Sequence, residues 1–529
     1  MNTDTSTEGL DAGASVAQVT CGQSCIDPGG LSEAHPVDSK QDPALVADGC
    51  RKLASSQSEE NSPPQPQGIL TIPIELLAVV FEQCIAAESH IPDVDFANTV
   101  FQAHVAPERL AMQLHLPFRL AGVCARFREA ALGSPRTWSN VVLCIQYPTE
   151  TSFPKPELLE LILSRSRNAP LAITINVRDA GSAEQPSCQR LIERLVQEMP
   201  RCAHLTISCI SLRNIDASVR LLDILTMATP WLETATIVSD AYSTCHLSQE
   251  VAGLFPCAPR LAKFQCDAFI PDRLGDWPSL SRATLFWHGI HDMAEWLGKF
   301  RYLRVLRASH SSFLFEEDSP VPSIVLPDLE ELIVSLYDDP NPRENMVPIA
   351  WNVPKLRTLG IATGRFGVLA SGSYCEIFLT ALCRWCPGLT RLTVDGPLEQ
   401  DTTLATILGF IDALPALEEL ELRAMEKLGD TSTESASSIT RTVCKVLSPP
   451  SPSQPGGTHN SWPHPHLNSI HITPTIEESA QVFLRFLEAR VSASYSQLVD
   501  SPSLFRDVKV FTSPQLNLQV EAILCRLQS

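Results

Sequence analysis

The chain of 529 residues has no apolar run long enough to cross a bilayer. Its longest, from Ile69 to Phe81, is broken by Pro73 and Glu75, and a spanning helix needs about 20 residues. The opening MNTDTSTEGL has neither a basic start nor an apolar stretch, so no secretory signal is expected. Positive charge is scarce: 40 Lys and Arg stand against 60 Asp and Glu, a net charge of −20. Unaided binding to nucleic acid or to anionic membrane needs a basic face, so neither is expected as a partner. Aromatic residues are 6% of the chain, and residues 1–67 contain none. That segment carries ten acidic and three basic side chains among Ser, Pro and Gly. It cannot bury enough apolar surface to offset its ordering entropy, so it reads as a disordered acidic tail.

Catalytic motifs are also missing. There is no G-x-S-x-G elbow, no G-x-x-x-x-G-K phosphate cradle and no H-E-x-x-H. A non-catalytic protein without cofactor is therefore expected. The 17 cysteines are odd in number and scattered, which fits reduced thiols in the cytoplasm or nucleus. Cys383 and Cys386 form a C-x-x-C with no second pair to complete a zinc site, and Cys386 abuts Pro387. Core or turn cysteines are expected there. His459, His464, His466 and His471 cluster with uneven spacing and read as loop residues. His288 and His291 have no acid beside them in sequence. Asp93 and Asp95 read as solvated.

What the sequence does contain is periodic. The first element begins near Ile69, with Pro73 and Glu75 suited to a first helical turn. Leu76, Leu77, Val80, Phe81, Cys84 and Ile85 then share one expected helical face. A second helix is expected over 117–132, with Leu120, Val123, Cys124, Phe127 and Ala131 at helical spacing. Gly133 and Pro135 stop it. Between the two, residues of about 87–116 have a weak pattern, with a possible helix near 107–114.

A repeat runs from Met199 onward. A proline is followed by apolar residues two, five and seven places later, as in PWLETATI, PSLSRATL, PKLRTLGI and PALEELEL. The prolines are Pro200, Pro230, Pro259, Pro278, Pro327, Pro354, Pro387, Pro415 and Pro465, and Arg301 replaces the proline in RYLRVLRA. Most copies are about 19 to 33 residues apart. The last two apolar residues alternate as on a strand, so both face one side. Helical patterns precede several copies, for example Leu404, Ile407, Leu408, Ile411 and Leu414 before Pro415. No copy buries its own apolar face, so neighbours must stack.

The series resembles a leucine-rich-repeat array, though it lacks the regular Asn of that family. The resemblance implies an α/β solenoid over 191–529, with a flexible insertion at about 429–463 that holds SPPSPSQPGG. Its outward row is Thr206, Thr236, Gln265, Thr284, Arg307, Ile333, Gly360, Thr393, Glu421 and His471. Two residues on come Ser208, Val238, Asp267, Phe286, Ser309, Ser335, Ala362, Asp395, Arg423 and Thr473. No basic stripe appears in these rows, which weighs against a phosphate ligand. They suit protein recognition, and the candidate contacts are Thr236, Gln265, Thr284, Phe286, Arg307, Thr393, Glu421 and Arg423.

The segment Ile72-Pro73-Ile74-Glu75-Leu76-Leu77, with Phe81, resembles the opening of an F-box. Val123-Cys124-Ala125-Arg126-Phe127-Arg128, with Pro135 and Trp138, resembles its close. The family joins these halves more tightly, so about 87–116 is an insertion within an F-box spanning 68–140. Residues 139–171, with a strand at Val141–Ile145 and the run Ser164–Leu171, resemble the fungal branch of the family, and 141–190 is the expected connecting strand and helix. The whole is expected to be α/β: an all-helical F-box, a connecting strand and helix, then the solenoid. The resemblance implies a substrate adaptor of a cullin–RING ubiquitin ligase, docked on a Skp-family linker and holding a protein substrate. The linker contacts it implies are Ile72, Pro73, Leu76, Leu77, Phe81, Leu120, Val123, Cys124, Phe127 and Trp138, with Pro73 and Leu77 foremost. The alternative is a repeat scaffold that does not bind the linker.

Overall fold

A computed structural model describes residues 71–89, 107–145, 154–177, 186–209, 224–239, 253–266, 274–285, 297–309, 314–316, 323–336, 346–348, 350–363, 388–395, 401–423, 443–448, 464–472, 477–495 and 507–510, with scattered positions from 379 to 386 and from 518 to 525. The acidic tail, Asp93, Asp95, His288, His291, Cys383 and His459 lie outside the described residues.

The protein is mixed α/β and is built on one long parallel sheet. Three helices come first: α1 (Ile74–Ser89), α2 (Pro107–Val123) and α3 (Ala125–Gly133). A 3-10 turn at Pro135–Trp138 leads into β1 (Asn140–Ile145). Helix α4 (Pro156–Ser166), β2 (Leu171–Val177), α5 (Pro186–Glu198) and β3 (Cys202–Cys209) follow. The sheet continues through β4 (Thr234–Ser239), β5 (Lys263–Cys266), β6 (Arg282–Leu285), β7 (Val305–Ser309), β8 (Glu331–Leu336) and β9 (Thr358–Thr363). It ends with β10 (Arg391–Asp395), α6 (Asp401–Asp412), β11 (Glu419–Arg423), β12 (Ser469–Ile472), α7 (Glu477–Tyr495) and β13 (Asp507–Val510). The thirteen strands lie in strict chain order, and each is hydrogen-bonded in parallel to the next.

The proline of each copy has a physical role. In Thr229-Pro230-Trp231-Leu232 the Leu232 N–H donates to the Thr229 carbonyl at 3.0 Å. The same bond recurs at Leu261, Leu280, Leu303, Leu329, Leu356, Leu389, Leu417 and Leu467, at 3.0–3.3 Å. This is a β-turn with proline at its second position, where a φ fixed near −65° costs nothing. The turn carries each of these leucines into the interior, and all are buried. Arg301 shows that the turn tolerates another residue, since Leu303 still bonds to the Phe300 carbonyl at 3.1 Å.

Two inward rows complete the core. Leu306, Leu332, Leu359, Leu392, Leu420 and Ile470 are register partners in one of them. Leu285, Ala308, Val334, Ile361, Val394 and Leu422 fill the other. All are buried. In mid-sheet Trp277 stacks on Phe300 at 5.7 Å between ring centroids and lies 4.8 Å from Phe264. Its indole N–H donates to the Phe255 carbonyl at 3.0 Å.

Several expectations need correction. The sheet starts before the repeat pattern does: β1 and β2 belong to it, so 141–190 is part of the sheet rather than a connector. Helicity resumes at Pro107 within the expected insertion of 87–116, and α2 runs through Pro117. The expected single helix over 117–132 is instead broken at Cys124, which is extended (φ −159°, ψ 171°) and caps α3. Within the expected flexible stretch of 429–463, residues 443–446 are helical, and Val443, Cys444 and Leu447 are buried. The core recruits them because a turn of three apolar side chains fills space beneath the sheet.

His464 lies in a turn, as read from the sequence, but it is buried. It occupies the position before the turn proline, which Leu326, Val353 and Leu414 occupy elsewhere, and it is fully buried. Burial pushes its imidazole below the usual histidine range, while the Leu414 carbonyl and the Asp412 carboxylate pull the other way. The buried Arg490 of α7 donates to the His464 and Leu467 carbonyls at 2.7 and 2.8 Å, and burial lowers its pKa to about 10. An imidazole with a depressed folded pKa binds its proton more readily in the unfolded chain. Its contribution to stability is therefore full above about pH 6.5 and declines as acid carries the pH down through the folded value. A thermal-melt series should show the midpoint falling below about pH 6.5, with a flatter profile in His464→Leu; equal slopes in the two proteins would contradict this.

Candidate functional site

Two surfaces carry the sequence-predicted residues: the first three helices and the outward face of the sheet. The helices form a small core of their own from Leu77, Phe81, Phe127, Ala130 and Ala131, with Ile72, Ile74, Leu120, Ala121 and Cys124 packed around it. Pro73 stands just before α1, and its carbonyl accepts from the Leu76 and Leu77 N–H groups at 3.1 and 3.0 Å. Phe81 meets the Phe127 ring edge-on at 5.1 Å. The Arg126 guanidinium donates to the Ile72 carbonyl, and the Ser134 hydroxyl donates to Glu82 at 2.6 Å. These contacts lay α1 beside α3 with the two chains running the same way.

Cys124 makes the break between α2 and α3. Its thiol accepts from the Phe127 N–H at 3.5 Å and its carbonyl accepts from Arg128 at 3.0 Å. A cysteine is a weak cap, but it is small and apolar enough to sit against the core. Trp138 closes the unit: its indole N–H donates to the Ala131 carbonyl at 2.7 Å. Phe118 meets Trp138 edge-on at 4.9 Å, and the Arg165 guanidinium lies 4.3 Å above the same ring.

This packing separates the expected linker contacts into two sets. Leu77, Phe81, Phe127 and Trp138 are buried; they hold helices together and offer a partner nothing, which removes Leu77 as a leading contact. Ile72, Leu120 and Cys124 are half-buried, and Pro73 is exposed. Leu76 is 55% exposed and Val123 64%. The expected apolar face of α1 divides likewise: Leu77, Phe81 and Ile85 turn inward, while Leu76, Val80 and Cys84 turn out. Val79 and Val80, 51% and 44% exposed, extend the outward stripe from Leu76. Val79 was legible as the residue three after Leu76, on the same side of a helix. Leu132 of α3 is also exposed. Apolar side chains standing together in water mark a binding surface more often than chance exposure.

On the sheet, the expected outward row is a true register row. Thr206, Thr236, Gln265, Thr284 and Arg307 follow one another as Cα partners, then Ile333, Gly360, Thr393, Glu421 and His471. Thr236, Gln265, Thr284, Arg307 and Thr393 are half-buried. Gly360 is covered: a Cβ there would lie 2.9 Å from Ile333 Cγ1. Phe286, Asp267 and Thr473 lie outside the described residues. Glu421 is only 6% exposed. Its carboxylate is met by Arg423 at 2.8 Å, by Arg391 and His471 at 3.8 Å, and by the Thr393 hydroxyl at 3.4 Å. Glu421 therefore anchors its neighbours and is not itself a contact, whereas Arg423 remains exposed.

A third outward row, two residues earlier on each strand, was missed. It contains His204, Thr234, Lys263, Arg282, Val305, Glu331, Thr358, Arg391 and Glu419. The alternation that gave the other rows extends to this one. His204 Nδ1 lies 2.8 Å from the Thr234 hydroxyl. Among the described residues no three His, Cys, Asp or Glu side chains gather closely enough to hold a metal ion. Among those residues no helix is long and apolar enough to cross a membrane.

The two faces of α1 should respond differently to truncation. Leu77→Ala opens a cavity and should destabilise the helical core by about 2–5 kcal/mol. Leu76→Ala should change stability by less than about 0.5 kcal/mol. Hydrogen exchange of the α1 amides reads both, and equal effects would contradict the assignment of faces. No family model matches the sequence, and no curated protein matches it.

Proposed function

We propose that the protein is a non-catalytic substrate receptor of a cullin–RING ubiquitin ligase, with the helical core as an F-box and the sheet as a leucine-rich-repeat surface. The observation that carries this reading is the outward apolar stripe of Leu76, Val79 and Val80 on a helix whose opposite face is fully engaged. A helix that fills its inner face and still exposes three apolar side chains is shaped to meet a second apolar surface. The Skp-family linker is the partner to which the motif resemblance points. Val123, exposed at the end of α2, is another apolar side chain left in water on this unit.

In this reading the protein accelerates ubiquitin transfer by proximity. The outward face of the sheet holds a protein substrate, and the helical core tethers it to the ligase, which raises effective concentration without new bonds at the reacting atoms. The extra chain between α1 and α2 is accommodated because surface insertions add little loop-closure cost.

Co-purification with the Skp-family linker tests the proposal. The intact chain should bind, and Leu76→Asp/Val80→Asp should bind at least about tenfold more weakly, since each buried apolar side chain contributes about 1.5–3 kcal/mol. A chain in which residues 90–106 are replaced by a short Gly-Ser link should bind like the intact one. Failure of the folded intact chain to bind a competent linker would overturn the proposal and favour a repeat scaffold.

A further inference from the structure

Positive charge in this chain is carried mainly by arginine. Of the 40 basic residues 31 are Arg and nine are Lys, although lysine is ordinarily among the commonest residues of a soluble domain. The deficit is greatest in the first half. Between Lys52 and Lys263, Lys155 stands alone against fourteen arginines. That span includes the whole helical core and β1 to β4, so α1, α2 and α3 contain no lysine.

Some arginines are fixed by what they bind. Arg490 donates to two backbone carbonyls, and Arg201 reaches Glu198, the Ala169 carbonyl and the Ser166 hydroxyl. A planar fork of donors suits such sites and a compact ammonium does not. Exposed positions make no such demand. Arg128 of α3, Arg190 of α5, Arg301 and Arg357 beside β7 and β9, and Arg485 of α7 are all exposed. A chain that carries −20 gains the same charge balance from either cation. Folding and solubility therefore do not account for the choice of arginine there.

The two cations differ in nucleophilicity. Ubiquitin passes from the thioester of a conjugating enzyme to a primary amine. The lysine ammonium first gives up a proton. Its nitrogen then bonds to the carbonyl carbon at the ubiquitin C-terminus, the C–S bond breaks, and the enzyme cysteine leaves as a thiolate. A guanidinium keeps its proton and has no free electron pair to offer. A receptor tethered beside the charged enzyme shares the effective concentration that it confers on its substrate. Any amine on the receptor then competes with those of the substrate.

We infer that the arginine-for-lysine surface is an acceptor filter: it withholds amines from the charged enzyme, so that ubiquitin goes to the bound substrate in preference to the receptor. The inference rests on the substrate-receptor reading and adds how the receptor directs the choice of acceptor.

The test is a reconstituted transfer with the full-length chain, the Skp-family linker, a cullin–RING ligase and a ubiquitin-charged conjugating enzyme. Ubiquitin on the receptor is read by gel shift and located by mass spectrometry. The variant Arg128→Lys/Arg190→Lys/Arg301→Lys/Arg357→Lys/Arg485→Lys keeps the charge and samples the unit from the helical core to α7. It should take up ubiquitin severalfold faster than the intact chain, on the introduced lysines, with linker binding and thermal midpoint unchanged. The same five positions changed to Gln should stay at the intact level, which separates the gain of an amine from the loss of a guanidinium. Modification no faster than in the intact chain, or added ubiquitin confined to the nine original lysines, would overturn the inference while leaving linker binding in place. Absence of linker binding by the intact chain would overturn the receptor reading and this inference with it.

Discussion

Everything in the sheet depends on the hydrogen-bonded turn that drives one leucine inward and delivers the chain to its strand in register. The bond from the Leu280 N–H to the Trp277 carbonyl and its counterparts fix where β4 to β12 begin. Once the start is fixed, period 2 decides which residues meet the core and which meet water. A slip of one residue would bury Lys263 and Arg282 and expose Phe264 and Ala283. The proline is therefore a device for register as much as for turning. The repeats cannot be stable singly, because each strand satisfies its backbone only against its neighbours.

The helical core is tied to the sheet by α2, which serves two interiors. Leu120 and Ala121 pack with α1 and α3, while Leu114 and Phe118 belong to the large core. Trp138 sits at the join, bonded to Ala131 and flanked by Phe118 and Arg165. With its inner faces so committed, the unit leaves the outward side of α1 apolar, and Met112, Val123 and Leu132 are exposed as well. The sheet leaves another kind of surface, polar and charged. Toward its C-terminal end Glu421 lies between Arg391, Arg423 and His471, and Glu419 meets Arg391 at 3.2 Å.

Much of this was legible in the sequence, for a specific reason. A pattern repeated ten times averages out the ambiguity of any one copy, so strands, turns and two outward rows could be read directly. Single-copy features were harder. The break at Cys124 left no periodic trace, because cysteine is neither a strong cap nor a helix breaker. His464 read as a loop residue because its neighbours are prolines and histidines, whereas its place in the turn makes it core. Residues 443–446 were hidden in a Ser- and Thr-rich stretch. On α1, apolar residues lie so nearly all round the helix that sequence could not say which face is inner. Burial separated Leu77 and Phe81 from Leu76 and Val80.

The central claim is that the outward face of α1 is a docking surface while the sheet face stays open for a substrate. Hydrogen exchange of the full-length chain, with and without a saturating Skp-family linker, tests it most directly. The account predicts slower exchange through α1 and the junction around Val123, with β5 to β11 unchanged. Protection centred on the strands, or none in α1 despite binding, would contradict it.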